Sequence, residues 1–73
     1  MKKYMISMYR ISNEGSAIAY VYAKHKSIAY WKAWDRWSKD YNIGNVLDLK
    51  SKNKHDRSDI KYYKTRGSLG TIK

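Results

Sequence analysis

The sequence predicts a small α+β fold: an antiparallel sheet of order β-β-α-β-β with one amphipathic helix packed on one face. Two observations near the N-terminus carry most of that expectation. Apolar and polar residues alternate twice in succession, and a stretch of helical periodicity follows directly. From Lys3 to Ile11, Tyr4, Ile6 and Met8 point one way, while Met5, Ser7, Tyr9 and Ile11 point the other. From Ala17 to Lys24 the pattern repeats, with Ala17, Ala19, Val21 and Ala23 on one face and Ile18, Tyr20, Tyr22 and Lys24 on the other. Between them Ser12-Asn13-Glu14-Gly15-Ser16 reads as a turn, so the pair is expected to form a β-hairpin.

The helix is expected over Ile28 to Tyr41, with Ser27 as its cap and Asn42 or Gly44 ending it. At about 100° per residue, Tyr30, Ala33, Trp34, Trp37 and Tyr41 share one stripe, with Lys32, Arg36 and Lys39 opposite. Bulky Trp34 and Trp37 are expected to meet the small residues Ala19, Val21 and Ala23 of the second strand. That places Tyr20 and Tyr22 on the other side of the sheet. Asn45 to Lys50 alternates and reads as a third strand. Ser51 to Ser58 is polar enough to read as a loop, and Asp59 to Thr65 reads as a fourth strand. Residues 1–66 then form one basic domain, and residues 67–73 a flexible tail.

Size and charge narrow the functional classes. A chain of 73 residues buries only about 60% of its unfolded surface, and without cysteine it has no disulfide and no thiolate metal ligand. No apolar run approaches the roughly 18 residues of a membrane span. The N-terminal segment through Arg10 begins like a signal peptide, but its apolar stretch is short and interrupted by Ser7, and no small-residue cleavage site follows. A cytoplasmic protein with no membrane partner is the expectation. The net charge of +10 fits nucleic acid, an anionic membrane surface or an acidic protein, and the membrane is the weaker reading because the aromatic stripe of the helix is better explained as the only available core.

Catalysis has few candidates. Glu14, the one glutamate, lies in a turn, and His25, His55 and Asp56 are not spaced as metal ligands. The expectation is a protein that is not an enzyme and takes no cofactor. One enzyme reading is weighed against it: a metal-independent ribonuclease in which His55 serves as acid or base while Arg57 and Lys54 hold phosphate. The plainer reading makes His55 an exposed loop residue.

The charge distribution is more informative. The last 24 residues carry a net +6, against +4 in the first 49. Lys50, Lys52, Lys54, Arg57, Lys61, Lys64 and Arg66 are therefore candidates for phosphate contacts, each releasing counterions on binding. With one helix covering one sheet face, Tyr9, Tyr20 and Tyr22 lie uncovered on the other, with Tyr62 or Tyr63 as candidates to join them. Such a face is a stacking platform for unpaired bases, a protein-binding patch, or an interface in a homodimer. Trp31 falls off the helix stripe beside Lys32, with Arg36 further along, and these three are candidates for base or partner contacts.

The segment from Tyr4 to Trp37, a hairpin KYMISMYRI…AIAYVYAK followed by SIAYWKAWDRW, resembles the ββα start of small accessory proteins encoded by bacteriophages and mobile elements. That resemblance covers about half the chain. It implies a host-takeover or anti-defence role, of which anti-CRISPR proteins are one group. A basic member would cover an acidic surface of a host nucleic-acid enzyme or compete for the nucleic acid itself. No functional residue carries over from the resemblance. The sequence thus offers two readings: a nucleic-acid-binding accessory protein for DNA or RNA, and a phage-encoded inhibitor of a host nucleic-acid-processing protein.

Overall fold

The computed structural model describes all 73 residues, in the order β1 (Lys2–Arg10), β2 (Ser16–Ala23), α1 (Lys26–Trp37), β3 (Tyr41–Asp48), α2 (Lys54–Tyr63) and β4 (Ser68–Ile72). The strands form one sheet in the order β3-β1-β2-β4. β1 is antiparallel to both β2 and β3, whereas β4 lies parallel to β2. The α+β class stands, but the antiparallel β-β-α-β-β layout with a single helix does not: the sheet is mixed and a second helix is present.

The two helices follow from the connectivity. β2, β3 and β4 all run the same way, so β2-α1-β3 and β3-α2-β4 are both crossovers between parallel strands. The first travels across the sheet towards the β3 edge and the second travels back to the β4 edge. Two crossovers of one hand that travel in opposite directions must pass over opposite faces, and the single hand is what right-handed chain twist favours. α1 packs on one face, where Ala29 and Ala33 join Tyr4, Ile6, Met8, Ala19, Val21 and Ala23 in the larger core. α2 packs on the other, where Ile60 joins Met5, Ile18 and Leu47.

The hairpin is as the alternation predicts, with Tyr4 opposite Val21 and Ile6 opposite Ala19. The small-residue face of β2 does lie against α1, but the helix presents alanine to it rather than tryptophan. Small residues on both sides let helix and sheet approach closely, which leaves no room for an indole between them. Trp34 is consequently 48% exposed, and Trp37 packs at the rim.

α1 begins two residues before the expected start and stops at Trp37. Its N-cap is His25, whose side chain makes no capping bond. The chain then turns through Ser38–Asp40, where the Asp40 N–H donates to the Trp37 carbonyl. Tyr41 and Ile43 are thereby freed to pack on the larger core as residues of β3, which outweighs one more helical turn. Opposite Ser7, β3 carries two residues, Gly44 and Asn45, a β-bulge marked by the register shift between Ile6 and Met8. The buried Ser7 hydroxyl accepts the Asn45 N–H at 2.8 Å and so satisfies a donor the bulge takes out of the ladder. A Cβ on Gly44 would stand 2.7 Å from Ser7 Oγ and 3.0 Å from the Ser7 carbonyl oxygen. Gly44→Ala is therefore expected to lower stability by about 1–3 kcal/mol, read as a reduced urea midpoint at unchanged slope.

Residues 54–63 overturn two expectations, the loop over 51–58 and the strand over 59–65. The signal for a helix is local. Asn53 Oδ1 accepts the N–H of His55 at 2.8 Å and of Asp56 at 3.3 Å. Asp56 stands in the first turn, favourable to the helix dipole, and takes a 2.7 Å hydrogen bond from Ser51 Oγ. One deeply buried side chain, Ile60 at 2% exposure, anchors the helix. The segment expected as a tail supplies β4, which pairs with β2 from Ile18 to Val21. No helix is long and apolar enough to cross a membrane.

Candidate nucleic-acid interface

The cations of α2 are segregated. With 3.6 residues per turn, Lys54, Arg57, Lys61 and Lys64 fall within an arc of about 80° on one flank, next to Ile60. Asp56, Asp59 and Tyr63 fall on the other flank. None of the four cations is in an ion pair; the single salt bridge of the molecule joins Lys2 to Asp48 at 3.5 Å. Arg57, Ile60, Lys61 and Lys64 line a shallow depression of about 310 Å³. Three positive side chains around one apolar floor, none of them in an ion pair, make a local positive potential.

A chain of contacts runs from this flank to the tyrosines. Arg57 Nη1 donates to the Leu49 carbonyl at 2.8 Å, and the Leu49 N–H donates to the Lys3 carbonyl at 3.3 Å. Lys3 opposes Tyr22 in the hairpin, and its Nζ lies 4.7 Å from the Tyr20 ring centroid and 5.7 Å from that of Tyr22. Tyr20 packs on the small core that holds Ile60. Helix cations, Lys3 and the half-buried rings of Tyr20 and Tyr22 therefore share one face of the molecule. α2 packs on that face through Ile60, contrary to the expectation that no helix covers it.

A second tyrosine group occupies the far end of the same face. Tyr9 and Tyr63 hydroxyls approach to 3.3 Å, and Asn45 Nδ2 donates to the Tyr63 hydroxyl at 3.4 Å. The shared hydrogen bond with Tyr63, aided by partial burial, raises the Tyr9 hydroxyl above the ordinary tyrosine pKa. Arg66 stacks on Tyr62 with its guanidinium carbon 4.9 Å from the ring, and its Nη2 donates to the Tyr62 hydroxyl at 2.8 Å. Its Nε is buried. Arg66 is thus held by its own tyrosine and is less free to contact phosphate than the lysines.

The remaining sequence candidates divide. Lys50 and Lys52 are exposed in the turn between β3 and α2, adjoining the cationic flank. Trp31, Lys32 and Arg36 belong to α1, on the opposite face of the sheet. Lys32 is structural: its Nζ donates to the Tyr22 carbonyl at 2.9 Å. Arg36 lies over Trp37 at 5.8 Å. His55 is exposed in the first turn of α2, so the residue is neither in a loop nor beside His25, which precedes α1. Lys3 is the residue the sequence reading missed, and the hairpin register that sets it against Tyr22 is the signal that finds it. Comparison with protein-family models, with curated proteins and with solved structures finds no match for this chain.

Proposed function

We propose that the protein binds single-stranded nucleic acid through the α2 face. The observation that carries the reading is the cationic stripe Lys54, Arg57, Lys61 and Lys64, free of ion pairs, on the same sheet face as the Lys3–Tyr20–Tyr22 group. The stripe and the exposed Lys50 and Lys52 follow a phosphate backbone, whose contacts fix position rather than sequence. Tyr20 and Tyr22 offer ring surface on which unpaired bases stack, each stack contributing about 1–3 kcal/mol. A duplex keeps its bases inside, so the ring pair favours an unpaired strand over a paired one. Lys3 already holds a cation over both rings, and stacking there would add to an electrostatically prepared surface.

A salt titration tests the reading. Binding of a labelled single-stranded oligonucleotide is expected to weaken as salt rises, with a log–log slope of about −0.7 for each phosphate contacted. Five or six contacts from the α2 flank and the preceding turn give a slope of roughly −4. Tyr20→Ala is expected to reduce affinity by about tenfold while leaving that slope unchanged, because it removes a stack and no charge. No detectable binding at low salt would remove the reading.

A further inference from the structure

At the far end of the α2 face, side chains distant in sequence bring hydrogen-bond donors together. Tyr9 comes from β1, Asn45 from β3, Tyr63 from the last turn of α2 and Arg66 from the turn that follows. The β3 bulge makes the meeting possible. Ser7 takes the backbone N–H of Asn45, while the Asn45 side chain reaches the Tyr63 hydroxyl at 3.4 Å. Gly44 beside it lets the Tyr9 ring lie close, since a Cβ there would stand 3.0 Å from Tyr9 Cε2. The Tyr9 hydroxyl then lies 3.3 Å from that of Tyr63. Tyr9 and Asn45 are open to solvent, whereas Tyr63 and Arg66 are half-buried.

The cluster holds donors it does not use. A phenol has one proton to give, an amide two and a guanidinium five. The Tyr9–Tyr63 contact spends one of the two phenolic protons, whichever oxygen donates, and leaves the other free. Asn45 spends one amide proton on Tyr63 and keeps one. Arg66 spends one proton on the Tyr62 hydroxyl, and its buried Nε makes no hydrogen bond, which is uncommon in a folded protein. The acceptors left over, Asn45 Oδ1 and the phenol oxygens, are neutral. Arg66, stacked on Tyr62, cannot follow a mobile backbone, but it sets a fixed positive charge at this end of the face. That charge reaches the Tyr9 hydroxyl and lowers its pKa, against the larger rise caused by the bond to Tyr63. The net rise keeps Tyr9 protonated, and so a donor, through the neutral range. Along α2 the nearest carboxylate is Asp59, one turn before Tyr63, and it works against an anion here.

We infer that this cluster is a site for the terminal phosphate of the bound strand. The inference rests on the reading that the α2 face binds single-stranded nucleic acid. A terminal phosphate monoester carries nearly two negative charges and three strong acceptor oxygens. It can therefore take the free phenolic proton, the free Asn45 amide proton and the charge of Arg66 together, and a hydrogen bond to an ionised acceptor is roughly twice as strong as a neutral one. An internal phosphodiester has two free oxygens and a single charge, and a strand that ends in a hydroxyl offers no charge at all. The position also suits an end. The cationic stripe stops at Lys64, the residue after Tyr63, so a strand lying along the stripe has its last phosphate where the tyrosine hydroxyls and Asn45 meet.

Binding of oligothymidylates of one length to the intact protein tests this, comparing hydroxyls at both ends with a 5′-phosphate and with a 3′-phosphate. One phosphorylated form is expected to bind about tenfold tighter than the hydroxyl form, as charge-assisted hydrogen bonds allow. Tyr9→Phe combined with Asn45→Ala is expected to cut that preference to about twofold. The double variant keeps the net charge, so diffuse attraction cannot account for the loss. Both side chains are exposed, and circular dichroism verifies that the fold persists. In parallel, inorganic phosphate at matched ionic strength is expected to shift the Asn45 side-chain amide resonances, and acetate to shift them less. Equal affinity for all forms of the oligonucleotide overturns the inference while leaving the cationic stripe in place. A preference that survives in the double variant does the same. An Asn45 amide that responds equally to acetate overturns the assignment to phosphate. Failure of every oligonucleotide to bind at low salt overturns the reading of the α2 face and this inference with it, a result distinct from the other three.

Discussion

Reversing two charges on the α2 flank, Lys61→Glu with Lys64→Glu, is expected to lower affinity for a single-stranded oligonucleotide by about a hundredfold at low salt. Both side chains are exposed and line the same depression, one turn apart, with no acidic partner to be left behind. Each reversal removes a phosphate contact and adds a repulsion, for about tenfold per position. Losing two contacts should also flatten the log–log salt slope by about 1.4. The control is the same charge change on the other face, Lys26→Glu with Lys39→Glu. Both double variants carry +6 in place of +10, so a ligand that senses only net charge would be weakened alike by the two. A local stripe predicts a large loss for the first pair and a change within a fewfold for the second. Equal losses would return the binding to diffuse attraction and remove the site. The cost to the helix itself is small, a few tenths of a kcal/mol for acids near its C-terminal end.

Ile60→Ala is expected to cost about 2–5 kcal/mol, with most of the loss local to α2. Ile60 is buried at 2% and is the one fully buried α2 residue in the smaller core, where it meets Met5, Ile18 and Leu47 while Tyr63 packs at its edge. A ten-residue helix is too short to persist alone in water, so a helix undocked from the sheet unfolds. The larger core contains no α2 residue and keeps β1, β2, β3 and α1 together. Hydrogen exchange should therefore show α2 amides losing protection while those of β1 keep theirs. Oligonucleotide affinity should fall with α2, because a disordered segment must be ordered at a cost on binding. Uniform loss of protection across β1 and α2 would show instead that the two cores unfold as one unit.

The hairpin and the first helix were legible because their signals are local and strong. Alternation fixed which residues of β1 and β2 share a face, and that reading placed Tyr20 and Tyr22 away from α1. The same stretch misled about Trp34, because periodicity finds an apolar stripe but not its depth. Whether alanine or tryptophan enters the interface depends on what lies opposite, and alanines on both sides closed the gap. α2 was missed for a related reason. Its composition is polar, and its anchor is a single isoleucine whose value appears only when Met5, Ile18 and Leu47 converge on it from three strands. The cap at Asn53 was visible in the sequence, with Asp56 three residues on, and was the available sign of a helix start.

The candidate cations were found by counting, and counting could not sort them. As a run of residues, Lys50 to Arg66 is only a basic third of the chain. Wound into a helix, four members come to one flank, Arg66 is drawn onto Tyr62, and the acids Asp56 and Asp59 move to the other side. Trp31, Lys32 and Arg36 look like neighbours of the same site in one dimension and stand on the opposite face in three.

What the sequence determined by itself was the α+β class, the excess of positive charge, the hairpin with its two faces, and the presence of more aromatic surface than so short a chain can enclose. Those properties follow from composition and from contacts between residues close in the chain. Only the tertiary structure decided the second helix, the parallel return of β4 and the separation of a cationic tyrosine face from a tryptophan ridge. Each of these depends on which strands the crossovers join, and a crossover is held by contacts between residues tens of positions apart, whose pairing no local pattern records.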